Sequence, residues 1–103
     1  MRTTLVAEAY NAGESLESLM ERYAVTVGTI LDHLARYAAA GNRLRNGSEL
    51  QAYTSTSPDD QQAAMEAFDE FGAAYLKPVF EKLEGKVSYD ELKILRLMYL
   101  SRE

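Results

Sequence analysis

The sequence predicts an all-α domain: an N-terminal three-helix unit with helix-turn-helix layout, followed by two or three further helices packed as a cap. Three observations point there. Apolar residues recur at spacings of three and four almost throughout, and no alternating run extends beyond a few residues. Glycine and proline number only 6 and 2 in 103 residues, which disfavours a turn-rich β fold. Serines and threonines stand ahead of several apolar stripes, where a hydroxyl can accept from the unpaired N–H groups of a first helical turn. The length fits a single domain over residues 1–103, with the helix-turn-helix in 1–45 and the C-terminal helical part in 57–103.

The first helix is expected over Thr3 to Ala12, with Leu5, Val6, Ala9 and Tyr10 inward, Thr3 or Thr4 as its cap and Gly13 as its end. The second begins after Ser15 and sets Leu16, Leu19, Met20 and Tyr23 on one face, until Ala24-Val25 breaks the stripe. The third begins near Thr26, buries Val27, Ile30, Leu31, Leu34, Tyr37 and Ala38, and stops at Gly41-Asn42. Residues 42–57 read as polar and turn-like, with Asn46-Gly47 as a turn signal and a short extended piece around Leu50 to Tyr53. A fourth helix follows Ser57-Pro58 and runs to about Phe71. The fifth spans about Ala74 to Leu83, with Pro78 in its first turn or bending it. The sixth opens on Ser88-Tyr89-Asp90-Glu91, which has capping-box spacing, and runs to the end of the chain. Its apolar residues go more than halfway round, so it is either central or part of an interface.

Composition narrows the function. With no cysteine and a single histidine, His33, a Cys/His zinc site cannot be built, and no metal or cofactor is expected. No run is long and apolar enough to cross a membrane, and no signal-peptide pattern opens the chain, so a cytoplasmic location is the default expectation. No Ser/His/Asp triad or isolated acid pair appears, so catalysis is not expected. The net charge of −5 is carried entirely by residues 49–103, whereas residues 1–48 balance five basic against five acidic side chains. A DNA-facing surface therefore belongs on the neutral half, where Arg36, Arg43 and Arg45 cluster.

A helix-turn-helix holds its third helix polar face outward, and the major groove accepts such a helix. Thr26 and Thr29, early in the third helix, would meet DNA first; Arg36, Arg43 and Arg45 are candidate phosphate contacts. Each has a plainer reading: Thr29 bonding back along its helix, the arginines as solvated side chains. His33 is a further candidate DNA contact, although its place beside Ile30, Leu34 and Tyr37 fits a structural residue better. Thr29, Asp32, Arg36 and Ala39 form the expected outer face, where Asp32 would repel phosphates unless it accepts from a cytosine amino group. Tyr10, Tyr23, Tyr37, Tyr75, Tyr89 and Tyr99 fall on or beside apolar stripes, which favours core packing over base stacking.

The stretches Thr4 to Gly13, Ser15-Leu16-Glu17-Ser18-Leu19 and Gly28-Thr29-Ile30-x-x-His33-Leu34, with Gly41, resemble the helix-turn-helix domain at the C-terminus of bacterial RecQ-type ATP-dependent DNA helicases. Leu76-Lys77-Pro78 and Ser88-Tyr89-Asp90-Glu91-Leu92 resemble its second half, so the likeness covers nearly the whole chain. Two positions depart from the family: Met20 stands where a small alanine is expected, and Tyr23 where an arginine is expected. The resemblance implies an accessory DNA-binding or substrate-positioning domain in a bacterial, nucleoid-associated protein, with DNA and the parent helicase core as partners. DNA contact is expected to be weak and not strongly sequence-specific. The motor would lie elsewhere, because no phosphate-binding loop occurs in these residues. Two other readings remain open: a protein-interaction module docking through the acidic half and the sixth helix, and a small homodimeric transcription regulator.

Overall fold

The computed structural model describes residues 2–102 and contains six α-helices and one 3-10 turn among them. They are α1 (Arg2–Asn11), α2 (Leu16–Tyr23), α3 (Val27–Ala39), the 3-10 turn Ser48–Ala52, α4 (Pro58–Phe71), α5 (Lys77–Lys82) and α6 (Tyr89–Leu100). Cap chemistry sets most of their starts. Ser15, Thr26, Ser57 and Ser88 each hold extended backbone angles and accept, through the side-chain oxygen, from the N–H three residues on. The ends of α1 and α3 are Schellman turns. Gly13 and Gly41 take positive φ, and the next residue bonds back to a carbonyl five earlier: Glu14 to Ala9 and Asn42 to Tyr37.

The core is in two parts joined by α6. Val6, Ala7 and Tyr10 of α1, Leu16 and Leu19 of α2, and Ile30, Leu31 and Leu34 of α3 make the first, which Leu44 and Leu50 close. Ala64, Ala67 and Phe68 of α4, with Val79, Leu83 and Val87, make the second. From α6, Ile94 and Leu97 enter the first part and Leu92 and Leu95 the second, while Met98 touches both. The broad apolar arc of α6 therefore packs largely within its own chain, as the central helix.

Several expectations are corrected. Helix α1 starts at Arg2, so neither Thr3 nor Thr4 caps it; the Thr3 hydroxyl instead bonds the His33 ring. Leu5 is 56% exposed, because α3 packs over Val6, Ala7 and Tyr10, a face centred about 150° further round α1. No extended piece forms at Leu50 to Tyr53. Leu50 N–H bonds the Gly47 carbonyl in a 3-10 turn that drops Leu50 into the first core. Helix α5 begins at Lys77, not Ala74, since Pro78 has no N–H to offer the Ala74 carbonyl one turn earlier. Helix α6 stops at Leu100, capped at Ser101; Glu103 lies outside the described residues. The capping box is half formed. Ser88 accepts from Glu91 N–H, but the Glu91 carboxylate turns away to the 54–56 loop, where it accepts from the Thr54 and Thr56 hydroxyls and the Ser55 N–H at 2.6–2.9 Å. No helix is long and apolar enough to cross a membrane among the described residues.

Candidate nucleic-acid interface

Helices α2 and α3 meet through Ala24-Val25-Thr26. Ala24 adopts left-handed angles (φ 53°, ψ 47°), and Val25 N–H bonds the Met20 carbonyl at 3.1 Å. This tight turn, with α1 behind, presents α3 with one strip outward. Helix α1 covers one edge of that strip and α6 the other.

Thr26 and Thr29 stand at the start of α3 and use their hydroxyls locally. Thr26 Oγ1 accepts from Thr29 N–H at 3.4 Å, and the two hydroxyls lie 3.3 Å apart. A cleft beside them also takes in Asp90 and Glu91. The first turn of α3 thus has acidic neighbours, which count against phosphate there.

The cationic ground lies one to two turns further on. His33 Nδ1 is 2.8 Å from the Thr3 hydroxyl and 3.0 Å from Arg36 Nη2. A guanidinium only donates, so Nδ1 accepts and the ring carries its proton on Nε2. Burial, then the charges of Arg36 and Arg2, push the imidazole below its usual value of 6.5, against the opposing pull of Asp32. His33 is therefore neutral at pH 7. Neither Arg2 nor Arg36 has a carboxylate partner among the described residues. Arg2 lies over the Tyr23 ring, 5.5 Å from its centroid, and Arg22 lies 5.8 Å from the same ring. Tyr23 is thus flanked by two cations.

Asp32 does not face solvent alone, as its place on the helix suggested. Lys93 Nζ and Arg96 Nη2 of α6 hold its carboxylate at 3.2 and 3.6 Å. Arg96 is deeply set, with its side chain 13% exposed and its Nε unpartnered among the described residues. Burial lowers its pKa, and Asp32 works against that shift. This face therefore gathers four cations, of which Lys93 and Arg96 pair with Asp32, Lys93 also shares a cleft with Asp90 and Glu91, and Arg2 and Arg36 stand clear of these carboxylates. Lys93 and Arg96 are sixty residues distant in sequence, and only the packing of α6 on α3 reveals them.

Arg43 and Arg45 lie apart from this face. They line a separate polar cleft at the other end of α3, with Asn42, Asn46 and Arg102. Arg43 is exposed there. Arg45 is committed to the fold: its guanidinium donates to the Tyr10 and Glu14 carbonyls and to Glu49, and covers the Tyr10 ring at 3.9 Å. Of the six residues singled out from the sequence, the structure brings Thr29, His33 and Arg36 onto one strip. It places Thr26 at the cap and Arg43 and Arg45 beyond the helix end.

Two short helices and a tight turn that holds a third over a shared core define a helix-turn-helix domain. A family model described as a helix-turn-helix domain matches residues 3–96, and the chain belongs to that family. No curated protein and no solved structure matched the chain.

Proposed function

We propose that this is a non-catalytic DNA-binding domain that grips the phosphate backbone through the α1–α3–α6 face. The observation that carries the reading is the pair of cations without carboxylate partners among the described residues, Arg2 and Arg36, flanking a neutral His33 on the exposed strip of a helix-turn-helix. Lys93 and Arg96 extend the positive ground along α6. The hydroxyls of Thr26 and Thr29 are engaged in the cap and face Asp90 and Glu91 across a cleft, which favours backbone contact over base reading. Sequence preference is accordingly weak. The Thr29-Ile30-x-x-His33-Leu34 signature supports a place as an accessory, substrate-positioning domain of a RecQ-like helicase, with the helicase core as its partner.

Fluorescence anisotropy with labelled DNA at several salt concentrations tests this. Each phosphate contact contributes about −0.9 to the slope of log affinity against log salt, so Arg2→Ala with Arg36→Ala lowers the slope by about 2. Binding that is absent, independent of salt, or untouched by the two substitutions rules the reading out.

A further inference from the structure

One tyrosine is placed unlike the rest. Each of the other six is packed against a core, lies against a ring or guanidinium, or hydrogen-bonds a carboxylate. Tyr75 is 78% exposed and has neither a ring partner nor a hydrogen bond among the described residues. This corrects its expected place in the core. Water-exposed aromatic rings of this size forgo burial that the fold could otherwise use.

The backbone around Tyr75 is anchored. Gly72 takes φ 80° to end α4, Ala73 and Leu76 pack against the second core, and α5 follows directly with Pro78 in its first turn. Between these anchors the ring points outward on a side chain with only two torsions to fix. Ala73 and Ala74 form one wall of a cleft of about 400 Å³, whose opposite walls carry Arg36 of α3 and the Asp32–Arg96 ion pair between α3 and α6. Phe71, 47% exposed, stands just before the same segment. An anchored, exposed aromatic one residue along from a cleft wall that faces a solvent-accessible guanidinium is a combination suited to unpaired nucleotides: the ring offers a stacking surface, and the cation meets the phosphate.

We propose that residues 71–76 form a base-stacking edge, with Tyr75 taking an unpaired nucleobase while the exposed Arg36 meets the adjoining phosphate. This rests on the DNA-binding reading above and sharpens its substrate class to single-stranded DNA or a single-strand–duplex junction. Duplex interiors offer no free base face and gain nothing from Tyr75.

The test compares affinities of wild type, Tyr75→Ala, Tyr75→Phe and Arg36→Ala for a blunt duplex, a fork and a single strand, by anisotropy at one salt concentration. Tyr75→Ala weakens fork and single-strand binding about 5- to 100-fold, the worth of one base–aromatic stack, and leaves duplex binding within about twofold. Tyr75→Phe keeps wild-type affinity, since the ring and not the hydroxyl stacks. Arg36→Ala weakens all three. Because Tyr75 has no partner in the fold, thermal unfolding of its variants stays at the wild-type midpoint. The stacking edge alone is overturned if Arg36→Ala acts as stated but Tyr75→Ala is silent, acts equally on all three DNAs, or is matched by Tyr75→Phe. Wild type that binds none of the DNAs, or Arg36→Ala without effect, overturns the DNA-binding reading itself.

Discussion

Arg45 gives the sharpest division between a residue that builds the fold and one that meets a ligand. Replacing it with alanine removes charge-assisted hydrogen bonds to the Tyr10 and Glu14 carbonyls, at the end of α1 and the turn beyond it. It also removes the ion pair to Glu49 at 2.7 Å and the guanidinium over the Tyr10 ring. Hydrogen bonds from a charged group contribute about 1.5–3 kcal/mol each when buried. The Arg45 side chain is 28% exposed, so the lower figure applies to the two carbonyl bonds, and the Glu49 pair adds little. The total is about 3 kcal/mol, which for a domain of this size lowers the melting midpoint by about 12–24 °C. Arg45→Lys does not restore it, since an ammonium cannot serve two carbonyls and a carboxylate in a fixed plane. Exposed Arg36→Ala, the control, stays within about 0.5 kcal/mol. Urea and thermal unfolding followed by far-UV circular dichroism measure all three. An Arg45→Ala variant as stable as Arg36→Ala, yet weaker on DNA, would refute the structural role and return Arg45 to the phosphate contacts.

Two further outcomes follow from the same geometry. Ala24 holds left-handed backbone angles with an exposed side chain, so Ala24→Gly relieves strain without losing packing and stabilises by about 0.5–1 kcal/mol in urea unfolding; a destabilised variant contradicts this account of the turn. Below neutral pH, stability also depends on two groups whose folded pKa values are depressed. Burial works against ionisation of Glu91, but hydrogen bonds from the Thr54 and Thr56 hydroxyls and the Ser55 and Thr56 N–H groups outweigh it and hold the carboxyl below its usual 4.5. Burial and two arginines hold His33 below 6.5. A depressed group adds stability above its unfolded pKa and loses it as pH falls through the folded one. Toward acid, unfolding free energy therefore holds level down to about pH 6.5, declines modestly below that as His33 takes up a proton, and declines again below about pH 4.5 as Glu91 does. Glu91→Gln flattens the second decline, and an unchanged acid profile in that variant rejects the role given to its carboxylate.

What the sequence disclosed and what it hid divide along physical lines. Capping is local, so Ser15, Thr26, Ser57 and Ser88 could be read directly from a hydroxyl ahead of an apolar stripe. Periodicity likewise revealed that α6 is buried on more than one side. The sequence alone sets the start of α5 too early although Pro78 marks it, because Leu76 stands at helical spacing from Val79 and Phe80 and extends the stripe backward. Arg45 sits in a polar stretch that looks solvated, and nothing local indicates that the end of α1 lies beneath it. Asp32 looked like a lone acid on an outer face because its partners, Lys93 and Arg96, come from the far end of the chain. Helical spacing alone does not distinguish Tyr75 from its buried counterparts, since exposure of one ring depends on where the second core ends.

The account's central claim concerns where DNA lies on the domain, and backbone amide shifts in an isotope-labelled sample titrated with a short DNA duplex report that residue by residue. The account predicts perturbations at Arg2 and Thr3, along Thr29 to Arg36, and at Lys93 and Arg96, all shrinking as salt is raised. Shifts confined to the acidic outer side of α4 and to α5, or to the Arg43–Arg45 loop, or no shifts at all, would contradict it.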